Sequence, residues 1–529
     1  DSRGLLNVEL QDNPITSVEG PFLFFDNITT LTTIDLSGNP LKTLEAGIFD
    51  VLTSLETLKL NDCKLTSISE NAFSSVLGKL LSVTHLELLD LSNCNIRGPI
   101  SADTFTNATR LKTLYLSGNS LVAADLQAAL EPLPKLERLF LSHCGLRDLP
   151  DNFNVFDNLL ELDISHNPLE NVFTKLLAPL EKIEYLNMGY SNLSYIGPDT
   201  FARMAAMKRL VLSGNDLLSL EAGLFGNLTQ LTTIELEFCG LKRPLNGLAF
   251  FKNLTYTDLR EIRLGGNPLV IPASGPIFPK QLSQVSILDL SNCNITSLNI
   301  DAFKNTENIT DLNLGGNRLR SAEGSLSFLE RLHHLEKINL GNNNLTTIDP
   351  KVFANNPKLH SLNLLGNPFV CDCKIAEMWD WANMIKGDLD VLIGAKSAEK
   401  DIVVKGNKKK KHLYCHYNET QLRNMTTVVN KTVPGRRPFA KPRELNFANR
   451  TWAKYVRESG CEPVVKILRP VALVGELFDY KQGNQISTGV TLVAIMALGL
   501  GIATVLMTIK LFRRKNYTET DAETTRKIR

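Results

Sequence analysis

A pattern of the form Leu-x-Leu-x-x-(Asn/Cys)-x-Leu returns fifteen times within residues 1–369 of this 529-residue chain, as in Ile34-Asp35-Leu36-Ser37-Gly38-Asn39-Pro40-Leu41. Its polar slot falls at Asn13, Asn39, Cys63, Cys94, Asn119, Cys144, Asn167, Ser191, Asn215, Cys239, Asn267, Cys293, Asn317, Asn343 and Asn367. Successive slots are 23 to 31 residues apart, most of them 24 to 26. A unit that short cannot bury its own apolar face, so it is stable only when stacked on its neighbours. Chance does not hold register fifteen times.

The period and wording of the repeat resemble those of extracellular leucine-rich-repeat membrane proteins. The resemblance implies an α/β solenoid, a horseshoe of about fifteen repeats with a parallel concave sheet. Each unit lays down one short strand with two leucines in a shared core, then turns through a buried Asn bonded to backbone groups of the neighbouring turn. Cys replaces Asn because a thiol is small and still a weak donor. A phenylalanine follows the slot by ten to twelve residues at Phe25, Phe49, Phe73, Phe105, Phe201, Phe225, Phe303, Phe328 and Phe353, which reads as a stacked spine on the convex side. At about 4.8 Å between strands the sheet extends on the order of 70 Å.

The formal net charge of +1 conceals an asymmetry. Residues 405–457 carry 14 Lys/Arg against 2 Asp/Glu, residues 510–529 carry 7 against 3, and the remainder stands at −15. Of the nine cysteines, Cys63, Cys94, Cys144, Cys239 and Cys293 occupy the slot and read as buried structural thiols. The other four lie beyond the last repeat. There the run Asn367-Pro368-Phe369-Val370-Cys371-Asp372-Cys373, with Trp379 and Trp381, resembles the C-terminal cap of extracellular leucine-rich repeats. That resemblance implies two disulfides, Cys371–Cys415 and Cys373–Cys461, and an oxidising compartment. Cys-x-Cys with distant single partners fits zinc poorly, His412 and His416 read as surface residues, and no metal is expected. Ile375, Met378, Trp379, Ala382 and Ile385, at helical spacing, are expected to cover the core of the last repeat. The cap spans 370–461. It holds an unusually long basic insertion containing Lys405, Lys408, Lys409, Lys410, Lys411, Arg436, Arg437, Lys441 and Arg443. This insertion is a candidate site for sulfated glycans or anionic headgroups through Coulomb attraction, with a solvated loop as the equal alternative.

After a stalk at 462–485, residues 486–509 run for 24 positions without a charge. As a helix that is roughly 36 Å, enough for a hydrocarbon core of about 30 Å. Lys510, Arg513, Arg514 and Lys515 follow at once, a cytoplasmic stop signal that predicts type I topology with residues 510–529 as the tail. Small residues four apart, Ala497/Gly501 and Gly499/Ala503, hint at helix association. Asp1 is not an initiator, and no Cys-rich N-terminal cap precedes the first repeat, so a mature or truncated form is expected. Twelve Asn-x-Ser/Thr sequons agree with an ectodomain: Asn27, Asn107, Asn192, Asn227, Asn253, Asn294, Asn308, Asn344, Asn418, Asn424, Asn430 and Asn449. Asn516 also matches but falls on the cytosolic side.

The outward strand positions of the concave sheet lie six, four and two residues before each slot, and no sequon falls on them. They hold Tyr115, Phe140 and Tyr185 with Arg138 and Arg209 beside them in repeats five to nine, residue types that dominate binding hot spots. Forty-five such positions at 7% aromatic hold about three aromatics by chance, so only their clustering is informative. Glu235, Glu237 and Glu261 form an acidic cluster on adjacent strands, readable as a basic partner's contact or as a solvated face. There is no nucleophile elbow, metal-ligand spacing, Gly-rich phosphate loop or paired-carboxylate motif, and the recurrent Asp35, Asp90, Asp163 and Asp289 follow the repeat without a partner base. Neither an enzyme nor a cofactor is expected. The expected function is cell-surface recognition at the plasma membrane: an adhesion molecule, receptor or co-receptor that binds an extracellular protein on the concave sheet. It would bind no nucleic acid and would associate into homo- or hetero-oligomers. The alternative is a pathogen- or matrix-recognition protein that binds anionic glycans through the basic cap. A third reading, an endoplasmic-reticulum resident, rests on Arg526-Lys527-Ile528-Arg529.

Overall fold

Three residues of each repeat, beginning six positions before the slot, form a β-strand. In the computed structural model these are β1 (Asn7–Glu9), β2 (Thr33–Asp35), β3 (Thr57–Lys59), β4 (Leu88–Asp90) and β5 (Thr113–Tyr115). β6 (Arg138–Phe140), β7 (Glu161–Asp163), β8 (Tyr185–Asn187), β9 (Arg209–Val211) and β10 (Thr233–Glu235) follow. Then come β11 (Glu261–Arg263), β12 (Ile287–Asp289), β13 (Asp311–Asn313), β14 (Lys337–Asn339) and β15 (Ser361–Asn363). With β16 (Asp390–Leu392) they make one 16-stranded sheet in strict sequence order. Neighbours pair in parallel with like positions opposite, so Leu114 faces Leu139 and Tyr115 faces Phe140. The described residues are most of 4–384, apart from breaks around 18–28, 45–51, 69–83, 150–155, 170–178 and 243–257, with 390–392, 414–416 and 444–446. The chain divides into two units, Asp1–Ile467 and Leu468–Arg529. The second, which contains the expected membrane segment 486–509, lies outside the described residues. Among the described residues no helix is long and apolar enough to cross a membrane.

The slot side chains hold one turn to the next. Asn215, 1% exposed, shows the full set. Its Nδ2 donates to the carbonyls of Met188 (2.8 Å) and Leu212 (2.7 Å), and its Oδ1 accepts from the amides of Ser191 and Leu193, both at 3.0 Å. One side chain thereby satisfies backbone groups in two turns, which burial demands. The five slot cysteines are free and buried, and each thiol donates to a carbonyl of the turn before, as Cys94 does to Leu60 (3.0 Å). Asn13 differs: it is exposed, and its amide donates only within its own turn, to Leu10 and Gln11.

The phenylalanine spine is present wherever it is described. Phe49, Phe105, Phe201, Phe225, Phe303, Phe328 and Phe353 are buried, and Phe156, Phe251 and Phe278 join them. Ring centroids lie 6.1 Å apart for Phe201–Phe225 and 5.6 Å for Phe303–Phe328, within aromatic pairing range. Phe25 and Phe73 lie outside the described residues. The α component is smaller than an α/β label suggests. The described returns hold one α-helix, α1 (Ala123–Leu130), and short 3-10 turns such as Pro350–Phe353. About 24 residues per turn, less a strand and the ladder corner, leave little chain for longer helices.

Between β15 and β16 the chain forms α2 (Cys373–Met384). Ile375 and Met378 are buried, and Trp381 stacks on Phe353 with centroids 5.4 Å apart. The Asp372 carboxylate accepts from the Ile375 amide (2.8 Å) and from Thr347 Oγ1 (3.2 Å), starting the helix and tying it to the repeats. The side chains of Trp379, Ala382 and Ile385 lie outside the described set. Cys373 is disulfide-bonded. The pairings Cys371–Cys415 and Cys373–Cys461, and the basic residues Lys405, Lys408, Lys409, Lys410, Lys411, Arg436, Arg437, Lys441 and Arg443, lie outside it too. Two further short strands, β17 (Tyr414–His416) and β18 (Glu444–Asn446), pair antiparallel.

Candidate protein-binding face

The open face of the sheet presents columns of side chains, one residue per turn. Register places Tyr115 beside Phe140, and their rings stack at 4.4 Å with an interplanar angle of 8°. Register also places Tyr185 beside Arg209, whose guanidinium sits 5.6 Å from the tyrosine ring centroid. Burial, then nearby carboxylates, raises both tyrosine pKa values, so their hydroxyls stay protonated donors. Arg138 is half-buried on β6, two residues before Phe140. All five residues expected at a binding surface thus lie on β5 to β9, as two packed pairs with Arg138 on β6.

The arginines are not free charges, which the sequence did not reveal. Arg138 Nε donates to Glu161 (3.0 Å), and Arg209 donates to Glu235 from Nε (3.0 Å) and Nη2 (2.6 Å). Glu235 is buried, so this second pair is the stiffer of the two. The acidic cluster is correspondingly compensated, since Arg263 also pairs with Glu261 at 2.6 Å. Glu237 is half-buried, and burial, then Asp289, raises its carboxyl above the usual range. The recurrent aspartates close turns. Asp163 accepts from the Ser165 amide (2.9 Å) and hydroxyl (2.6 Å), and Asp35 does the same with Ser37. Burial alone would raise the Asp35 carboxyl, but these bonds and Lys59 outweigh it and hold the pKa below its ordinary value.

A second aromatic track, absent from the strand-position reading, runs one residue before the slot. That residue is left-handed in every described turn, and most turns fill it with Gly, Asn or Asp. His143 (φ 55°), His166 (φ 55°), Tyr190 (φ 53°) and Phe238 (φ 53°) are the exceptions. An L side chain there costs roughly 1–2 kcal/mol, so four bulky rings at one corner are unusual. His143 and His166 stack at 4.0 Å, and His166 and Tyr190 at 4.7 Å. Burial and the neighbouring His143 lower the His166 pKa. The glycines make room for the rings: a Cβ on Gly214 would stand 2.3 Å from the Tyr190 ring, and one on Gly266 2.2 Å from Phe238. Tyr190 and Phe238 are half exposed to solvent, at 50% and 54%. The signal was legible in principle, as aromatic residues at a position that otherwise favours glycine.

None of the described sequons falls on a strand of the sheet. Asn192, Asn294 and Asn344 are exposed one residue after the slot; Asn227 and Asn308 are exposed on the returns, and Asn107 is half-buried there. Asn27, Asn253, Asn418, Asn424, Asn430 and Asn449 lie outside the described residues. The slot thiols offer no reactive alternative, because burial pushes Cys63 and Cys144 up to about 11 and Cys94, Cys239 and Cys293 up to about 12.

A parallel solenoid with an Asn/Cys ladder defines a class, and the comparisons agree. The leucine rich repeat family profile matches residues 3–65, 29–96, 84–146, 189–241, 283–336 and 325–369. These segments cover more than half of the chain, and the chain belongs to that family. Mouse (Mus musculus) podocan is 28% identical over 289 residues, 50% of this chain and 45% of podocan. Mouse podocan-like protein 1 is 30% identical over 300 residues, 54% of this chain and 48% of the relative. The crystal structure of a TLR13–ssRNA13 complex superposes with a TM-score of 0.57 at 25% identity, covering 73% of this chain and 54% of that one. The chain spans about half the length of the curated relatives it matches.

Proposed function

We propose that this chain is an extracellular, single-pass recognition protein that binds a protein ligand on the open sheet face between β5 and β9. The observation that carries the reading is the coincidence of two stacked aromatic tracks, Tyr115–Phe140 and His143–His166–Tyr190, on neighbouring turns. Elsewhere the same columns are mostly small or polar. Rings with few rotatable bonds, half-buried at Tyr115 and Phe140 and exposed at His143, His166 and Tyr190, lose little entropy on docking, as do arginines already held by glutamates. The family likeness to matrix and receptor proteins, the sequons off the face and the apolar run 486–509 support placement outside the cell. The ladder and cap act as scaffold, with no catalytic role, and signalling would pass through a partner.

The test is a binding screen of the soluble 1–461 ectodomain against secreted and surface proteins, followed by Phe140→Ala. Loss of about 2 kcal/mol, roughly thirtyfold in affinity, is expected. Charge reversal at Lys408, Lys409, Lys410 and Lys411 should change mainly the on-rate and its salt dependence. Normal binding by Phe140→Ala together with loss of binding in the charge-reversed cap would move the site to the basic insertion.

A further inference from the structure

One glycosylation sequon stands apart among the described ones. The return after Asn267 carries Pro272 and Gly275 (φ 78°), and Asn299 Nδ2 holds it by donating to the carbonyls of Pro272 (3.2 Å) and Gly275 (3.1 Å). The Ile277 amide donates to Ala302 (2.8 Å), fixing the far end. Between this return and the next turn lies a groove of about 300 Å³ lined by Ile271, Pro272, Ala273, Asn294, Thr296 and Ser297 among others. Both the acceptor asparagine and the hydroxyl residue of the sequon Asn294-Ile295-Thr296 therefore line the groove. Asn294 is exposed at φ 61°, whereas the amides of Asn227 and Asn308 already donate to the carbonyls of Ala202 and Ser283.

We propose that Asn294 carries an N-linked glycan whose innermost N-acetylglucosamine is seated in this groove as a wedge between two turns. The inference rests on the extracellular reading. Attachment forms a bond from Asn294 Nδ2 to the anomeric carbon of a polyprenyl-diphosphate oligosaccharide and breaks that carbon's bond to the diphosphate oxygen. One Nδ2 proton is lost with the leaving diphosphate. The seated sugar lays its C–H face against Ile271 and Pro272, while Thr296 and Ser297 offer hydroxyls to its ring oxygens and acetamido group. Its apolar contact with half-buried side chains takes area from water that a glycan on an open edge leaves exposed.

The full chain expressed in a secreting eukaryotic cell tests this by peptide mapping and by amidase deglycosylation of native protein. Asn294 should be occupied, and its glycan released at least about tenfold more slowly than those on Asn192 and Asn344, the factor given by about 1.4 kcal/mol of seating free energy. After denaturation the three rates should coincide. Asn294→Gln should lower the thermal midpoint, while Asn192→Gln leaves it unchanged. Thr296→Ser, which keeps the sequon, should retain both protection and midpoint. Occupancy at Asn192 and Asn344 with Asn294 empty, or equal native release at all three, overturns the seat alone. If every sequon is empty, the extracellular reading fails and the seat fails with it.

Discussion

Replacing Asn215 by leucine tests the ladder most directly. The side chain makes four hydrogen bonds, two donated to the carbonyls of Met188 and Leu212 and two accepted from the amides of Ser191 and Leu193. Leucine makes none, and at 1% exposure no water replaces them. A buried backbone group left unpaired costs about 1–3 kcal/mol, so even the low end for four groups comes to about 4 kcal/mol. That is a large share of the roughly 5–15 kcal/mol that holds a domain together. Because each turn contacts only its neighbours, the damage should appear first as local opening across the turns from β8 to β10. Cys239→Asn is the control. Its thiol makes only long contacts, to the carbonyls of Leu212 (3.4 Å) and Glu237 (3.5 Å), and an asparagine restores what neighbouring slots already use. Hydrogen exchange and urea unfolding of the two variants should show strong destabilisation for Asn215→Leu and near-neutrality for Cys239→Asn. Equal damage from both would refute the ladder account.

The slot thiols make a pH prediction. Their folded pKa values, about 11 to 12, lie above the ordinary 9.0, so the folded chain holds these protons more tightly than the unfolded chain. Their contribution is complete below about pH 9 and is lost as pH rises towards 12. Native protein should resist alkylation at pH 8, and Cys94→Ser should show a shallower alkaline loss of stability. For the cap, Cys373→Ser should cost about 2–5 kcal/mol and be retained inside cells; normal surface levels with an unchanged thermal transition would count against a structural disulfide. Tyr190→Gly should leave stability within about 1 kcal/mol, because relief of the left-handed backbone offsets loss of a stack worth about 0.5–1.5 kcal/mol. The same variant should weaken ligand binding, and unchanged affinity would remove Tyr190 from the proposed face.

The repeat, its strand positions, the ladder slots, the phenylalanine spine and the buried state of five cysteines were legible in the sequence because each is a matter of spacing. A step of about 24 residues brings like positions together, so one residue's column predicts its neighbours. Tyr115, Arg138, Phe140, Tyr185 and Arg209 were placed on one face by counting alone. What only the tertiary structure decided are interactions that depend on side-chain reach and backbone handedness. Glu161 holds Arg138, and Glu235 holds Arg209, across 23 and 26 residues. His143, His166 and Tyr190 form a stack because a left-handed residue turns its side chain out at the corner of the turn. Spacing names the turn on which a residue lies, but a ring stack or an ion pair also needs the rotamers of both partners and the backbone angle beneath them. Those are set only when the turns close on one another.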